Sequence, residues 1–208
     1  MSFGECFGRA AGRGVTTESI RTAVEDHRSG GAERSDGAHA DGDAESADPE
    51  PSPARVVADA DVLAADLLAG GDARESLDRL RSHSWTTLVA SDPLLDDATA
   101  VIGDLADADL ASDWRAAVES WREPVAHPAG DHPALASAYR GGAMQVVSLD
   151  PSLTNPQVAA GLRDRMPVSV REPRAFAAVF SPDRLYPEVV GGEYPGPDRD
   201  PRSLEPVQ

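Results

Sequence analysis

The sequence predicts an α/β fold in which helices cover both faces of a central, mainly parallel sheet of four or five strands. Short apolar runs alternate along the chain with segments that have helical periodicity. Several of these runs are apolar at successive positions, which is typical of strands that are buried on both faces. Together the two observations predict a three-layer α/β/α architecture.

The first predicted elements follow one another from residue 55 onward. RVVADA predicts a strand that ends in acidic residues, and VLAADLLAGG predicts a helix that ends at two glycines. The next helix has the D-x-x-E pattern of a capping box at Asp72 and Glu75, with Leu77, Leu80 and His83 on its buried side.

The remaining elements repeat this alternation. TTLVAS predicts a strand, and Asp92 with Pro93 predicts the start of the helix PLLDDATAVIGDLA. We expect LASDWRAAVESWREPV to continue as helix, with an apolar face formed by Leu110, Trp114, Val118 and Trp121. A helix opened by Pro133, the strands MQVVSL and PVSV, and the helix PRAFAAVF complete the predicted fold.

Composition divides the chain into three parts. We expect residues 1–54 to be a disordered N-terminal segment and linker, because Ser29–Pro53 has too little apolar surface to offset the entropy of ordering. Within it, TTESIRTAVEDHR predicts a transient helix capped by Thr17. Residues 55–187 are the predicted α/β domain, and residues 188–208 are a proline-rich acidic tail without regular structure.

The charge balance is extreme. Asp and Glu number 36 against 19 Lys and Arg, the formal net charge is -17, and every one of the basic residues is arginine. This composition resembles that of haloarchaeal proteins, in which high salt screens the self-repulsion. In such a halophilic protein, acidity is only weak evidence against nucleic-acid binding, which ordinarily uses a basic surface.

Cysteine content and hydropathy exclude other classes. A single cysteine, Cys6, excludes an internal disulfide framework and a cysteine-based zinc cluster. Apolar stretches fall short of the roughly 18 residues of a membrane span, and the N-terminus does not resemble a signal peptide. We therefore expect a cytoplasmic protein without a membrane partner.

Four aspartates are predicted to lie where an apolar segment meets a turn or a helix: Asp59, Asp97, Asp131 and Asp150. Asp59 ends the first predicted strand, Asp150 ends MQVVSL, and Asp131 starts the helix that leads into MQVVSL. In parallel sheets, ligands bind beyond the carboxyl ends of the strands. Oxygen ligands suit Mg²⁺ or Mn²⁺, and paired metals of this kind catalyse phosphodiester hydrolysis. The pattern therefore predicts a divalent-metal site.

The segments around these acids resemble the PIN-domain ribonucleases. VVADADVL resembles the first strand of that family, with Asp59 at the first catalytic acid. Asp97 with the apolar pair Val101 and Ile102 resembles its mid-chain acidic helix. DHPALASAYRGGAMQVVSLD resembles its third element, which places the remaining acids at Asp131 and Asp150 and a supporting hydroxyl at Ser148, and PVSVREPRAFAAVF resembles its last strand and helix.

This resemblance implies a PIN-like, Rossmann-like fold and a metal-dependent nuclease. Asp59, Asp131 and Asp150 would hold Mg²⁺ or Mn²⁺, and Asp97 would complete the metal shell or orient water. The expected reaction is hydrolysis of phosphodiesters in single-stranded RNA, which makes the protein a hydrolase.

The chain departs from the family pattern at several positions. Asp61 stands where the family has Asn, Ser or Thr, so it could add a metal ligand or repel one. Asp97 is shorter than the usual glutamate, and Asp96 competes for its role. His127 and His132 flank Asp131 and could contact a metal or phosphate, or be solvated. The candidates for holding a phosphate backbone are Arg115, Arg122, Arg140, Arg163 and Arg165.

Two other hypotheses remain open. The first is a catalytically inactive PIN-like binding or scaffolding module of a toxin–antitoxin-like or RNA-processing system, which pairs with a protein partner or forms a homodimer. Side chains of Asp59, Asp131 and Asp150 that converge on one metal would favour the enzyme, whereas acids that point into solvent or are held by arginines would favour the module. The second is a receiver-like phosphoacceptor, which requires a lysine in its site, and this chain has none.

Overall fold

A computed structural model of the chain describes residues 1–32, 49–128, 130–163 and 166–207. Its centre is a five-stranded sheet in which each strand runs parallel to its neighbours. In chain order the strands are β1 (Ser52–Ala58), β2 (Thr87–Ser91), β3 (Arg122–Val125), β4 (Ala143–Val147) and β5 (Ser169–Arg171). The predicted parallel sheet is confirmed.

Helices flank this sheet and produce the predicted three-layer α/β/α fold. In chain order they are α1 (Phe3–Ala10), α2 (Thr17–Ala32), α3 (Ala60–Leu68), α4 (Gly71–Arg81), α5 (Asp92–Leu105), α6 (Ala108–Glu119), α7 (Pro133–Arg140), α8 (Pro151–Thr154), α9 (Pro156–Arg163), α10 (Pro173–Val179) and α11 (Pro182–Val189). In the parts of the chain that the structure describes, no helix has the length and apolar character needed to cross a membrane.

The path of the chain across the sheet creates a switch point. The spatial order of the strands is β3-β2-β1-β4-β5, so the chain moves from β1 to β2 and β3 and then returns to β4 on the other side of β1. Val57 pairs with Val146 and Ala58 with Val147, which brings the carboxyl ends of β1 and β4 side by side. Open α/β sheets bind ligands at such a point, where the connections leave in opposite directions.

Two glycines allow the turn between α7 and β4. A Cβ atom on Gly141 would overlap the side chain of Val89 in β2. Gly142 has a φ of +59°, which side-chain-bearing residues rarely adopt, and its Cβ position would lie only 2.7 Å from the carbonyl oxygen of Pro49. The glycines therefore let α7 pack closely on the sheet before β4 begins.

The N-terminal segment differs most from the sequence prediction. Residues 1–32 form α1 and α2 instead of the expected disordered segment, whereas residues 33–48, the rest of the expected linker, lie outside the described residues. The buried residues of both helices recur at helical spacing: Phe3, Cys6, Phe7, Ala10, Ile20 and Val24. Burial of this apolar surface offsets the ordering entropy that isolated short helices cannot offset.

Helix α1 covers a buried group of charged residues, here called the Arg81 network: Asp66, Arg74, Asp78 and Arg81. The fully buried guanidinium of Arg81 donates to both carboxylate oxygens of Asp66, at 2.7 and 2.8 Å. Arg74 also donates to Asp66, at 2.9 Å, and its guanidinium carbon lies 3.3 Å from the centroid of the Phe7 ring. The aromatic side chains of α1 thus shield the network from water.

Three further expectations need correction. The helix expected to continue through WREPV ends at Glu119, and REPV forms the strand β3 at the edge of the sheet, where Pro124 is tolerated. The capping box expected at Asp72 and Glu75 is absent, because α4 begins at Gly71 and its N-cap, Gly70, provides no side-chain hydrogen bond. The helices α8, α9 and α11 were not predicted.

The C-terminal tail packs on the domain although it is largely irregular. After α11 ends at Val189, the described residues form turns and one isolated antiparallel bridge between Arg199 and Pro206. The phenol of Tyr194 lies 2.6 Å from the Nε2 atom of His83, and Asp198 accepts a hydrogen bond from the backbone N–H of Ser84 at 2.8 Å. Side-chain contacts rather than regular structure therefore hold the tail.

Candidate functional site

Asp59 lies at the switch point and is fully buried. It follows β1 directly and is the N-cap of α3, where its side chain accepts a hydrogen bond from the backbone N–H of Ala60 at 2.8 Å. Its other carboxylate oxygen accepts from the hydroxyl of Ser148 at 3.0 Å, and its own backbone N–H donates to the carbonyl of Val147. Asp59 therefore connects the ends of β1 and β4.

Asp61 is also buried, but one of its oxygens is unpaired. Its Oδ2 atom accepts from the backbone N–H of Leu149 at 3.0 Å, whereas Oδ1 has no hydrogen-bond partner among the described residues. Burial, and then the negative charge of Asp59, raise the pKa of Asp61 well above its usual value. A buried acceptor without a hydrogen bond lowers the free energy of unfolding, so Asp61 destabilises this site.

Ser148 links these acids to Asp150. Its buried hydroxyl donates to Asp59 and accepts from the backbone N–H of Asp150 at 3.0 Å. Asp150 is half-buried and caps α8, with its carboxylate accepting from the N–H of Ser152 at 2.7 Å. The supporting hydroxyl expected at position 148 thus lies between the two acids that end β1 and β4.

Arg28 of α2 extends into the same site. Its guanidinium donates to Asp59 at 2.7 Å and to Asp97 of α5 at 2.8 Å, and it lies 3.1 Å from the Nε2 atom of His132. Burial opposes the charge on Arg28, but Asp59 and Asp97 outweigh it, so the pKa of Arg28 is raised. The same pairing holds the pKa of Asp59 below its usual value in spite of burial.

Four of these side chains, Arg28, Asp61, His132 and Asp150, border a cavity of about 210 Å³, here called the switch-point pocket, whereas Asp59, Asp97 and Ser148 do not line it. Asp61, His132 and Asp150 form one side of it, and Arg28 with other residues of α2 forms the opposite side. Helix α2 packs against α3 and α5, so it covers the carboxyl edge of the sheet at the switch point. The pocket is therefore closed on one side by a segment that lies before the predicted domain.

The structure separates Asp97 from its neighbour Asp96. Asp97 is 14% exposed and is bound to Arg28, whereas Asp96 is 68% exposed on the outer side of α5 and pairs with Arg115. Of these two alternatives, Asp97 is thus the one at the site. Arg115 also makes the expected pair with Glu119 four residues later, at 2.8 Å.

His132, rather than Asp131, borders the pocket. Asp131 is exposed on the turn before α7 and does not line the cavity, whereas the neighbouring His132 does. Burial lowers the pKa of His132, although Asp59 acts in the opposite direction. At neutral pH His132 is therefore an uncharged hydrogen-bonding group beside the acids.

A divalent cation fits the donor set only in part. In the described residues, no group of three or more His, Cys, Asp or Glu side chains could hold a metal in this arrangement. Nevertheless, Asp61 Oδ1 is a buried carboxylate oxygen without a partner, and Asp150 borders the same cavity. Carboxylate oxygens of this kind suit Mg²⁺ or Mn²⁺. The oxygen atoms at the site are thus suitable ligands for a divalent cation, but Asp59 and Asp97 already accept hydrogen bonds from the guanidinium of Arg28.

Of the arginines expected to hold a phosphate backbone, Arg115, Arg122 and Arg140 do not line this pocket. Arg115 and Arg122 pair with acidic residues around α6, including Asp92 and Glu119. Arg140 lies near the ring of Tyr139. The side chain of Arg163 and the whole of Arg165 lie outside what the structure describes. Among the described residues, the arginines that line the pocket are Arg21 and Arg28 of α2. No sequence pattern indicated Arg28, because its partners Asp59 and Asp97 lie 31 or more residues away along the chain.

Comparisons place the chain in a family. No curated protein and no solved structure matches it. The model of a family described as a family of unknown function (DUF7384) matches residues 50–202. The acids of the switch-point pocket lie inside this range, whereas Arg28 and the whole of α2 precede it. Because the match covers more than half of the chain, the protein belongs to this family of unknown function.

Proposed function

We propose that the protein is a metal-dependent hydrolase that cleaves phosphodiester bonds of single-stranded RNA at the switch-point pocket. The observation that carries this proposal is the unpaired Oδ1 atom of Asp61, which lies buried beside a second buried carboxylate, Asp59. Two adjacent buried carboxylates repel each other, and a bound cation would offset that repulsion. Their location at the topological switch point supports a ligand site.

Three acids would hold the cation in this proposal: Asp59, Asp61 and Asp150. In the described residues they do not form a three-ligand site as they stand, so metal binding requires that Arg28 leaves and that the side chains move together. Asp61 replaces Asp131 in the set expected from the sequence, because Asp131 is exposed outside the cavity. When bound, Mg²⁺ or Mn²⁺ would polarise a phosphoryl oxygen and lower the pKa of a water molecule. Ser148 fixes the orientation of Asp59 through its hydroxyl.

Asp97 and His132 would act beside the cation. Once it is released from Arg28, the carboxylate of Asp97 can accept a hydrogen bond from water and orient it. His132, whose pKa is lowered, can hydrogen-bond to a phosphoryl oxygen without carrying charge. The choice of RNA depends on the resemblance to PIN-domain ribonucleases.

The charge of the chain sets the conditions for activity. A net charge of -17 attracts divalent cations and repels the phosphate backbone. Salt weakens this repulsion, since the Debye length falls to about 3 Å at 1 M. We therefore expect RNA cleavage to increase with salt concentration, the reverse of the dependence of basic nucleic-acid-binding proteins.

The test combines metal binding with RNA cleavage by the full chain. Mn²⁺ binding is measured by isothermal titration calorimetry in about 1 M salt, and cleavage is followed on a labelled single-stranded RNA. Asp59→Asn, Asp61→Asn and Asp150→Asn should each lose both properties. Asp104→Asn, an exposed acid on α5, is the matched control and should keep them. Unchanged Mn²⁺ binding in all three variants would overturn the proposal.

A second candidate function has its own supporting observation. Arg28 holds Asp59 and Asp97 in ion pairs, as expected of a binding module whose acids have become structural. A module of this kind would bind a protein partner or a second copy of itself without a metal. It is the better description if neither the wild type nor a variant lacking the Arg28 guanidinium binds Mn²⁺.

A further inference from the structure

We propose that α2 is an inhibitory segment and that its Arg28 keeps the switch-point pocket closed by neutralising the acids that a divalent cation would otherwise neutralise. This inference rests on the proposed function, because it concerns the regulation of the same site. It assigns to residues outside the matched family region the role of controlling residues inside it.

Arg28 binds carboxylates that a divalent cation would also bind. One guanidinium bridges two acids from different elements, Asp59 after β1 and Asp97 on α5, and also reaches His132 before α7. Asp59 is fully buried, and the side chain of Arg28 is 22% exposed. A cation that binds Asp59 therefore has to displace this guanidinium or share the carboxylate with it.

The charges at the site explain why a divalent cation can replace the Arg28 guanidinium and why Arg28 can in turn replace the cation. The single positive charge of Arg28 faces Asp59 and Asp97, and Asp61 remains without a partner for its Oδ1 atom. A divalent cation supplies one more positive charge than the guanidinium and can also satisfy Asp61. Metal and Arg28 thus compete for one set of carboxylates, and each must lower the apparent affinity of the other.

The attachment of α2 is compatible with movement. Its buried contacts on the core are Ile20 and Val24, whereas Glu25, Asp26 and His27, which precede Arg28, are exposed. Helix α2 borders the pocket along one side, so its displacement would open the acids to RNA. The hydrogen bonds of Arg28 therefore hold the C-terminal part of a helix that has few buried apolar side chains.

The test uses the full chain in three forms: wild type, Arg28→Met and Arg13→Met. Methionine keeps much of the arginine stem and removes the charge. Arg13 lies in the same N-terminal segment but pairs with the exposed Asp107, so its substitution is a matched control. Mn²⁺ affinity is measured by calorimetry, and melting temperatures are measured in EDTA and in Mn²⁺.

We expect Arg28→Met to bind Mn²⁺ at least about tenfold more tightly than the wild type, because the competing guanidinium is absent. In EDTA its melting temperature should fall by about 5 °C or more, since a buried carboxylate is left unpaired, and Mn²⁺ should restore it. Arg13→Met should match the wild type in both measurements. Cleavage of RNA should increase in Arg28→Met alone.

Each contrary outcome has a distinct meaning. Equal Mn²⁺ affinity in the wild type and Arg28→Met would overturn the inhibitory role and leave the proposed function in place. Absence of Mn²⁺ binding in both would overturn the proposed function and the inference with it. If Arg28→Met does not fold, hydrogen exchange of the wild type decides: Mn²⁺ should accelerate exchange of the α2 amides, and unchanged exchange would overturn the inference.

Discussion

Replacing Asp61 by asparagine is expected to stabilise the metal-free protein, whereas the same substitution at Asp66 on the same helix should destabilise it. Both aspartates are 1% exposed. They differ in their partners: Asp61 has an oxygen with no hydrogen bond, and Asp66 receives hydrogen bonds from Arg74 and Arg81. The pair of substitutions thus separates the effect of burial from the effect of pairing.

The structure provides the magnitudes. Asparagine at position 61 keeps an acceptor for the N–H of Leu149 and removes an acid whose ionised form is disfavoured by burial and by Asp59, which should raise the free energy of unfolding by about 1–3 kcal/mol. Asparagine at position 66 removes the charge that pairs with the fully buried Arg81, which should lower it by about 3–5 kcal/mol. Each kcal/mol corresponds to a shift of about 2–4 °C in melting temperature for a chain of this size.

The pH dependence provides a second readout. Burial and Asp59 raise the folded-state pKa of Asp61. An acid with a raised folded pKa binds more protons when folded than when unfolded, so it costs stability once the pH exceeds its unfolded pKa of about 3.9. The wild type should therefore lose stability as the pH rises from about 4 toward the folded pKa. Asp61→Asn should not show this loss.

Urea unfolding in EDTA at a series of pH values measures both effects. The reasoning would be refuted if Asp61→Asn were less stable than the wild type, or if both proteins had the same pH profile. In Mn²⁺ the order should reverse, because only the wild type retains all three proposed metal ligands. If Asp61→Asn is more stable than the wild type in EDTA and Mn²⁺ does not stabilise it further, the unpaired acid lowers stability because it serves metal binding.

Three further predictions concern features next to the site and at the turn before β4. Ser148→Ala should lower the free energy of unfolding by about 1–3 kcal/mol, because a buried carboxylate oxygen and the backbone N–H of residue 150 lose their partner, as denaturant titration will show. Asp97→Asn should accelerate hydrogen exchange in α2 and cost about 1 kcal/mol, whereas Asp96→Asn should change stability by less than about 0.5 kcal/mol. Gly141→Ala should cost about 1–3 kcal/mol and lower the melting temperature, because its methyl group overlaps Val89, and Val89→Ala should partly restore stability.

Local patterns were sufficient to predict the sheet. RVVADA, TTLVAS and MQVVSL are apolar at consecutive positions, and this pattern corresponds to the buried strands β1, β2 and β4. The helical spacing of Trp114 and Trp121 predicts a helix that extends over REPV, so β3 at one edge is missed. The strand predicted at PVSV corresponds to β5 at the other edge.

Composition did not reveal α1, and it predicted α2 only as a transient helix. Phe3, Cys6, Phe7 and Ala10 have the spacing of one helical face, but so short a segment is stable only with a partner surface. That surface includes Arg74 and Arg81, which lie more than 60 residues from Phe7 along the chain. Local pattern indicates which residues can be buried, and tertiary contacts decide whether they are.

The residues of the candidate site likewise include some that local sequence predicted and some that only tertiary packing determines. Asp59 and Asp150 follow strands, so their positions at the carboxyl ends of a parallel sheet predicted that they would lie close together, whereas Ser148 was indicated only by the family resemblance. Asp131 follows a Pro/Gly-rich loop whose course depends on packing, and it lies outside the pocket. Arg28 is one of many surface-type arginines in the sequence, and only the position of α2 distinguishes it.

Because α1 covers the Arg81 network, the domain that folds as one unit includes residues that precede the family region. The region shared with the family starts at residue 50, yet Phe3 and Phe7 complete the environment of Arg74 and Arg81. A protein trimmed to the shared region would expose this apolar surface and hydrate the ion pairs beneath it. Such a patch favours self-association. Oligomers formed by the trimmed protein would then reflect a missing helix rather than a biological interface.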